Sequence, residues 1–185
     1  MFKFLAEEYV NIFTVLNLFS YISIRTGAAI LTSLFFSLIF GELIIKSLSN
    51  IQPSGQPIRN DGPENHILNK LGTPTMGGVL IIMSILVSLL LWADLKNNFI
   101  LISIFSCLSF GFVGFYDDYL KVKSNSSNGL KARTRIIIQL LISFSVVYLI
   151  QNNLPLNFSQ SISFPFFKDL IIDFGILYFF IGIFI

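Results

Sequence analysis

The sequence predicts an all-α fold, a polytopic transmembrane helical bundle with four full spans and a truncated fifth. Apolar residues make up 54% of the 185 residues and charged residues only 12%, about half of the roughly 25% found in soluble domains. A chain this short buries too little surface to hide so much apolar area from water. Its apolar runs are continuous and do not alternate with polar residues, which favours helices over a membrane barrel. Composition therefore excludes a soluble enzyme, a disordered chain and, with one cysteine, a disulfide-stabilised domain.

The first 22 residues are predicted to form an amphipathic interfacial segment, which precedes a transmembrane domain at 23–185. Lys3, Glu7 and Glu8 are interleaved with apolar and aromatic residues, a pattern typical of a helix that lies on the membrane surface. The acidic residues stand where a signal peptide needs its apolar region, so a cleaved leader is the poorer interpretation.

Charge-poor runs with the length of membrane-spanning helices occur at about 23–45, 71–93, 97–116 and 134–151. A bilayer core about 30 Å thick requires roughly 20 helical residues. A fifth span is predicted to begin near Leu170, and it is still apolar at Ile185, the last residue. We therefore expect the last span to be incomplete in this chain.

The positive charges predict the orientation of the bundle. Two polar segments, 46–70 and 121–135, hold eight of the twelve Lys and Arg residues. Because positively charged loops stay on the cytoplasmic side, both segments are predicted to be cytoplasmic and the N-terminus to lie outside. Lys131, Arg133 and Arg135 fit this anchoring role, although they can also attract an anionic lipid or nucleotide. A net charge of +2 gives no reason to expect a nucleic-acid partner.

Two adjacent carboxylates, Asp117 and Asp118, stand at the predicted cytoplasmic end of the third span. The ordinary interpretation of such a residue is a solvated helix end. Here, however, two carboxylates oppose the negative end of the helix dipole and repel each other, so a compensating cation is expected. Lys121 is in reach of both at i+4 and i+3 if the helix continues. Mg²⁺ is the other candidate, since it binds carboxylates together with substrate phosphates; the pair therefore predicts a site for phosphate chemistry.

A second candidate lies between Lys70 and Gly78. Lys70 and Thr75 stand at a predicted helix start, where free backbone N–H groups and the helix dipole favour an anion. Gly77 and Gly78 permit close approach of the backbone. The alternative is a capped span whose glycines pack against a neighbouring helix, and these residues alone do not decide between the two.

Three motifs together resemble the phospho-N-acetylmuramoyl-pentapeptide transferases, a family of bacterial membrane enzymes. They are the strings Arg59-Asn60-Asp61-Gly62-Pro63-Glu64, Lys70 to Gly78, and Phe115 to Val122. The string Lys-x-Gly-Thr-Pro-Thr-Met-Gly-Gly is the most specific of them, because the related polyprenyl-phosphate GlcNAc-1-phosphate transferases share the aspartate pair but lack it. The resemblance extends from Leu5 to Lys168.

The resemblance implies a reaction and a set of site residues. Undecaprenyl phosphate attacks the β-phosphate of UDP-MurNAc-pentapeptide, UMP leaves, and the peptidoglycan precursor lipid I forms with Mg²⁺ as cofactor. On this basis Asp117 is the catalytic base or activator of the lipid phosphate, and Asp118 helps to hold the metal–phosphate cluster, with both aspartates as metal ligands. Lys70, Thr75 and Lys121 would contact the nucleotide diphosphate. The resemblance also implies that the protein lies in the bacterial cytoplasmic membrane, in contact with its lipids. A homodimer is one of the oligomeric states that the sequence leaves open.

The chain departs from this family in its length. The family's later motifs, including a further catalytic Asp and a His-rich cytoplasmic loop, would all lie beyond Ile185. We therefore expect an N-terminal fragment or a truncated reading frame that is inactive on its own. Two alternative functions stay open, a polyprenyl-phosphate GlcNAc-1-phosphate transferase and a non-enzymatic membrane protein.

Overall fold

The computed structural model describes residues 2–9, 14–53, 55, 74–124, 126, 128–155, 160–164 and 167–184. Helices dominate this part of the chain, which confirms the predicted all-α class. The elements in chain order are α1 Phe2–Tyr9, a 3-10 helix at Thr14–Ser20, α2 Ile22–Ile51, α3 Gly78–Trp92, α4 Asn98–Ser124, α5 Ala132–Asn153, β1 Ser161–Phe164, β2 Phe167–Asp173 and α6 Leu177–Phe184.

Three of the described helices, α2, α4 and α5, are long and apolar enough to cross a membrane. Most of their large apolar side chains are exposed, while the buried apolar residues of the described chain are few. A soluble protein leaves no such continuous apolar surface in water. The chain is therefore a multi-pass membrane protein.

The second predicted span is shorter as a helix than the apolar run that predicted it. The run covers 71–93, whereas α3 has 15 residues, Gly78–Trp92, and is about 22 Å long. Residues 71–73 lie outside the described part. Pro74 disfavours helical backbone before it, and Met76 takes a left-handed φ of 71°, so the helix begins only after them.

The predicted start of the fifth span near Leu170 is wrong. Residues 167–173 form β2, which pairs with β1 in an antiparallel hairpin. The chain then turns at Gly175, which has a φ of +52° and whose N–H donates to Asp173 Oδ1 at 2.9 Å. This turn ends the strand, so α6 begins at Leu177.

The described chain divides into two compact units, residues 1–96 with 111–131, and residues 97–110 with 132–185. In the first unit α2 packs against α3, where Gly41 of α2 lies under Leu80, and Gly111 of α4 faces Ile82 of α3. Small residues let membrane helices approach closely. The close approach of Gly111 and Ile82 brings α3 beside the C-terminal half of α4.

In the second unit the start of α4 is tied to the end of α5. Asn98 Nδ2 donates to Asn153 Oδ1 at 2.6 Å. α5 also packs against α6, where the rings of Phe144 and Phe179 stack with centroids 5.9 Å apart. A hydrogen bond at one helix end and aromatic packing between α5 and α6 thus stabilise the second unit.

Gly111 and Gly114 allow a matched test of this helix packing. A Cβ at Gly111 would collide with Ile82, whereas one at Gly114 would meet nothing within 4 Å. Both substitutions gain helix propensity to a similar extent, so we expect Gly111→Leu to be less stable than Gly114→Leu by about 1–3 kcal/mol, because its larger side chain must displace Ile82. Thermal unfolding in detergent measures both, and equal effects would contradict the described packing of α4.

Candidate active site

The carboxylates of Asp117 and Asp118 lie near the end of α4, and Lys121, one turn further on, binds both. Lys121 Nζ is 2.7 Å from Asp117 Oδ2 and 2.9 Å from Asp118 Oδ1. α4 continues to Ser124, so the i+4 and i+3 spacings bring the ammonium group to both carboxylates. Lys121 therefore supplies the cation that the sequence led us to expect, and the three groups together keep one negative charge.

Asp117 is the buried member of the pair, with 7% of its surface exposed. The backbone N–H of Leu130 donates to its Oδ1 at 2.7 Å. Gly129 passes so close that a Cβ there would lie 2.8 Å from Asp117 Cγ. Each oxygen of Asp117 therefore has a partner, and this carboxylate fixes the segment 128–131 against α4.

Asp118 is the more accessible carboxylate, since 28% of its side chain is exposed. Thr75 Oγ1 donates to Asp118 Oδ2 at 2.8 Å, across 43 residues of sequence. Thr75 is followed by Met76, a buried residue with a positive φ, and such a backbone conformation costs about 1–3 kcal/mol in a non-glycine residue. The strained turn before α3 thus delivers the Thr75 hydroxyl to Asp118.

Gln52 supports Thr75 from the end of α2. Its Oε1 accepts a hydrogen bond from the Thr75 N–H at 2.9 Å, and the residue is only 3% exposed. Its Nε2 is also buried and has no hydrogen-bond partner among the described residues. The hydrogen bond to Thr75 therefore holds Gln52 at the site although its Nε2 is left unbonded, which has an energetic cost.

Replacing Gln52 by Met is expected to release the Thr75 backbone. The variant keeps the side-chain volume but loses the acceptor of a hydrogen bond, which is worth about 1 kcal/mol. We expect the Thr75 amide to exchange its hydrogen roughly fivefold faster, as measured by hydrogen exchange in detergent. Asn50→Ala, two residues earlier and exposed, is the control; an unchanged Thr75 amide in Gln52→Met would refute the supporting role.

Four of the five predicted site residues are thus brought together, namely Thr75, Asp117, Asp118 and Lys121. Lys70 lies outside the described residues. The basic residues of the second polar segment, Lys131, Arg133 and Arg135, are exposed.

Sequence reasoning missed Gln52, Gly129 and Leu130. A polar residue at the end of a long apolar helix is a signal that can draw attention to Gln52. The contact of Leu130 uses only its backbone N–H, so no side-chain pattern predicts it. Gly129 gives a weak signal, because glycines in a polar loop are common.

The cluster meets the requirements of a Mg²⁺ site in part. Among the described residues, no group of three or more His, Cys, Asp or Glu side chains can hold a metal ion. Mg²⁺ nevertheless binds through one or two carboxylates when substrate phosphates complete its shell. Asp118 fits this role because it is partly exposed, and its partners are a hydroxyl and an ammonium group. Asp117 fits less well, because it is buried against a backbone N–H.

Comparison with known proteins agrees with the motifs. A family model described as Phospho-N-acetylmuramoyl-pentapeptide-transferase signature 1 matches residues 70–82, which include Thr75. Over 171 residues the chain is 45% identical to proteins named Phospho-N-acetylmuramoyl-pentapeptide-transferase from Rickettsia prowazekii (strain Madrid E) and Rickettsia felis (strain ATCC VR-1525 / URRWXCal2). It is 44% identical to the protein of that name from Rickettsia montanensis.

These alignments cover 92% of this chain but 47% of each relative. The chain therefore spans about half the length of the curated relatives it matches. The resemblance identified from the three motifs is confirmed over nearly the whole of the present sequence.

Proposed function

We propose that the cluster of Thr75, Asp117, Asp118 and Lys121 serves the transfer of phospho-MurNAc-pentapeptide from UDP-MurNAc-pentapeptide to undecaprenyl phosphate. The products are lipid I and UMP, and the pathway is peptidoglycan biosynthesis. The observation that carries this proposal is the hydrogen bond between Thr75, in the matched signature, and Asp118, in the aspartate motif. It joins two motifs of the resemblance in one site.

The reaction is a phosphoryl transfer. A phosphate oxygen of undecaprenyl phosphate forms a bond to the β-phosphorus of the nucleotide sugar, and the bond from that phosphorus to the UMP oxygen breaks. UMP carries away the electron pair of the broken bond as a phosphate dianion. Such transfers depend chiefly on positioning and on stabilisation of the phosphate charge, so cations and hydrogen-bond donors are the groups required.

In this proposal Lys121 supplies a cation for the diphosphate of the bound nucleotide sugar and for the departing UMP, since its ammonium is already held beside both carboxylates. Thr75 offers its hydroxyl to the same diphosphate, and Lys70 adds a second ammonium group. Asp118 would hold Mg²⁺, which when bound neutralises phosphate charge. Asp117 orients Lys121 and, as the resemblance implies, acts as the base or activator of the lipid phosphate.

The site would lie at the cytoplasmic face of the bacterial cytoplasmic membrane, with the N-terminus outside. The two polar segments that hold eight of the twelve Lys and Arg residues support this orientation, because positively charged loops stay on the cytoplasmic side. At that face a membrane-bound lipid phosphate and a soluble nucleotide can meet. We also propose that the protein forms a homodimer, and cross-linking of the protein in membranes tests this.

The function can be tested in a chimera in which this chain replaces the 171 matched residues of the Rickettsia prowazekii relative. We expect membranes with the chimera to form lipid I and UMP in equal amounts from UDP-MurNAc-pentapeptide and undecaprenyl phosphate. The control is the same chimera with Asp118→Asn.

The alternative functions give different results in this assay. Consumption of UDP-GlcNAc in place of UDP-MurNAc-pentapeptide would favour the GlcNAc-1-phosphate transferase. If the chimera uses neither nucleotide sugar while the parent relative forms lipid I in parallel, the proposal is refuted and the non-enzymatic alternative is favoured.

A further inference from the structure

A cavity of about 480 Å³ lies in the first unit between α1 and the segment that follows α3. Its interior is apolar, with Phe4 and Leu5 on one side and Leu90 on the other. Lys3 and Lys96 also line it. The lining therefore has a hydrocarbon surface and a charged part, in which two ammonium groups outnumber the carboxylate of Asp94, and this combination matches an amphiphile that carries negative charge.

The polar groups of the cavity are organised around Asp94. Lys3 Nζ donates to Asp94 Oδ2, and the N–H of Lys96 donates to Asp94 Oδ1 at 3.3 Å. The hydrogen bond from Lys3 lowers the pKa of Asp94, and the nearby charge of Arg25 lowers it further. Lys96 Nζ also lies 4.8 Å from the centre of the Phe4 ring.

Positive charge exceeds negative charge among the described side chains of this region. Lys3 and Arg25 carry the positive charges near the carboxylate of Asp94. Lys96 lines the same cavity, while Glu8 is exposed and is not one of its lining residues. Arg25 Nε is buried and has no hydrogen-bond partner in the described part of the chain. An anion is therefore the ligand that the electrostatics favour.

The aromatic cluster beside the cavity is typical of a membrane–water interface. The ring of Trp92 stacks on Phe2 with centroids 4.5 Å apart and lies 5.5 Å from Phe19. Trp92 Nε1 donates to Thr32 Oγ1 at 2.9 Å. Tryptophan is enriched at the membrane–water interface, and the stack holds α1 there.

The cavity is separate from the candidate active site. Thr75 precedes the start of α3 and Asp94 follows its end, and the 15 residues of the helix separate the two by about 22 Å. An anion bound near Asp94 therefore has no direct contact with Asp117 or Asp118.

We propose that this cavity binds an anionic phospholipid, with the phosphate beside Lys3 and Lys96 and the first acyl carbons among Phe4, Leu5 and Leu90. A phospholipid meets both parts of the lining, whereas a soluble anion would leave the apolar surface uncovered. The proposal concerns a lipid of the surrounding membrane and does not depend on the proposed transfer reaction.

The single tryptophan of the chain offers a direct test, because Trp92 adjoins the cavity. The full chain is reconstituted in phosphatidylcholine vesicles that contain a small fraction of phosphatidylglycerol brominated on its acyl chains, and bromine quenches tryptophan fluorescence on contact. We expect brominated phosphatidylglycerol to quench Trp92 at lower mole fraction than brominated phosphatidylcholine does. High salt should weaken this preference.

Lys96→Gln is the main variant, since it leaves the pair of Lys3 with Asp94 intact. We expect the preference for phosphatidylglycerol to fall about fivefold, while Lys46→Gln, an exposed lysine on α2, leaves it unchanged. Arg25→Gln is a second variant in which we expect the preference for phosphatidylglycerol to fall. Circular dichroism checks that each variant is folded.

Equal quenching by the two brominated lipids in the parent protein would overturn the proposal. So would a preference that survives in both folded variants, Lys96→Gln and Arg25→Gln. Undecaprenyl phosphate has the same chemistry, and it is added unlabelled as a competitor. If it displaces brominated phosphatidylglycerol at lower mole fraction than unlabelled phosphatidylglycerol does, the assignment to a phospholipid is wrong.

Discussion

Asp118→Asn is expected to reduce transfer by the chimera roughly 100- to 1,000-fold or more, with little change in stability. The substitution removes the more accessible charge of the cluster, whose side chain is 28% exposed. An amide oxygen can still accept from Thr75, so the free energy of unfolding should change by less than about 1 kcal/mol. UMP release and thermal unfolding in one detergent give the two quantities.

Asp117→Asn is the informative companion of this variant. It should abolish turnover as well, but it also replaces a buried carboxylate that binds Lys121 and the Leu130 N–H. We expect the free energy of unfolding to fall by about 2–4 kcal/mol. A near-parental rate in Asp118→Asn would refute the site, and equal stability losses in the two variants would refute the different roles of the two carboxylates.

Lys121→Met is expected to have the second largest effect, because it leaves two adjacent carboxylates without their shared cation. The pair then stands at the negative end of a helix dipole. The side chain of Lys121 is 31% exposed, so after allowance for solvent screening we expect a loss of about 1–3 kcal/mol in the free energy of unfolding. Lys123→Met, which removes an exposed lysine of the same helix, should cost little.

The same variant tests whether a divalent cation can take the place of the ammonium group. We expect Mg²⁺ to raise the unfolding temperature of Lys121→Met more than that of the parent, while K⁺ at the same ionic strength does not. Transfer should still fall, because the ammonium group beside the diphosphate of the nucleotide sugar is gone. A Lys121→Met protein as stable as the parent without Mg²⁺ would contradict the proposed pairing.

The charge-poor runs predicted the helical class and the positions of four apolar helices, three of which are long enough to cross a membrane, since a bilayer imposes both length and composition. They placed the start of the fifth span wrongly, because an apolar run is compatible with a strand as well as with a helix. The hairpin at 161–173 depends on pairing between β1 and β2, which hydropathy does not encode. α2 likewise continues to Ile51, past the predicted end at 45, because a helix can extend beyond the bilayer into water.

The candidate site was predictable where side-chain spacing decides the contact. Lys121 reaches both aspartates because one helix turn sets the distance. The bond from Thr75 to Asp118 joins residues 43 positions apart, so spacing predicts no such contact. The motif resemblance brought both residues into the site, whereas Gln52 and Leu130 needed the three-dimensional structure.

The central claim is that the signature at 70–82 and the aspartate motif form one site, and a double-mutant cycle in the chimera tests it most directly. Thr75→Val removes the hydroxyl, and Asp118→Glu keeps a carboxylate but moves it. We expect the two losses in transfer rate to be non-additive by about fivefold, since contacting residues couple by 0.5–3 kcal/mol, whereas distant ones add within about 0.5 kcal/mol. A double variant whose loss equals the product of the single losses would contradict the account.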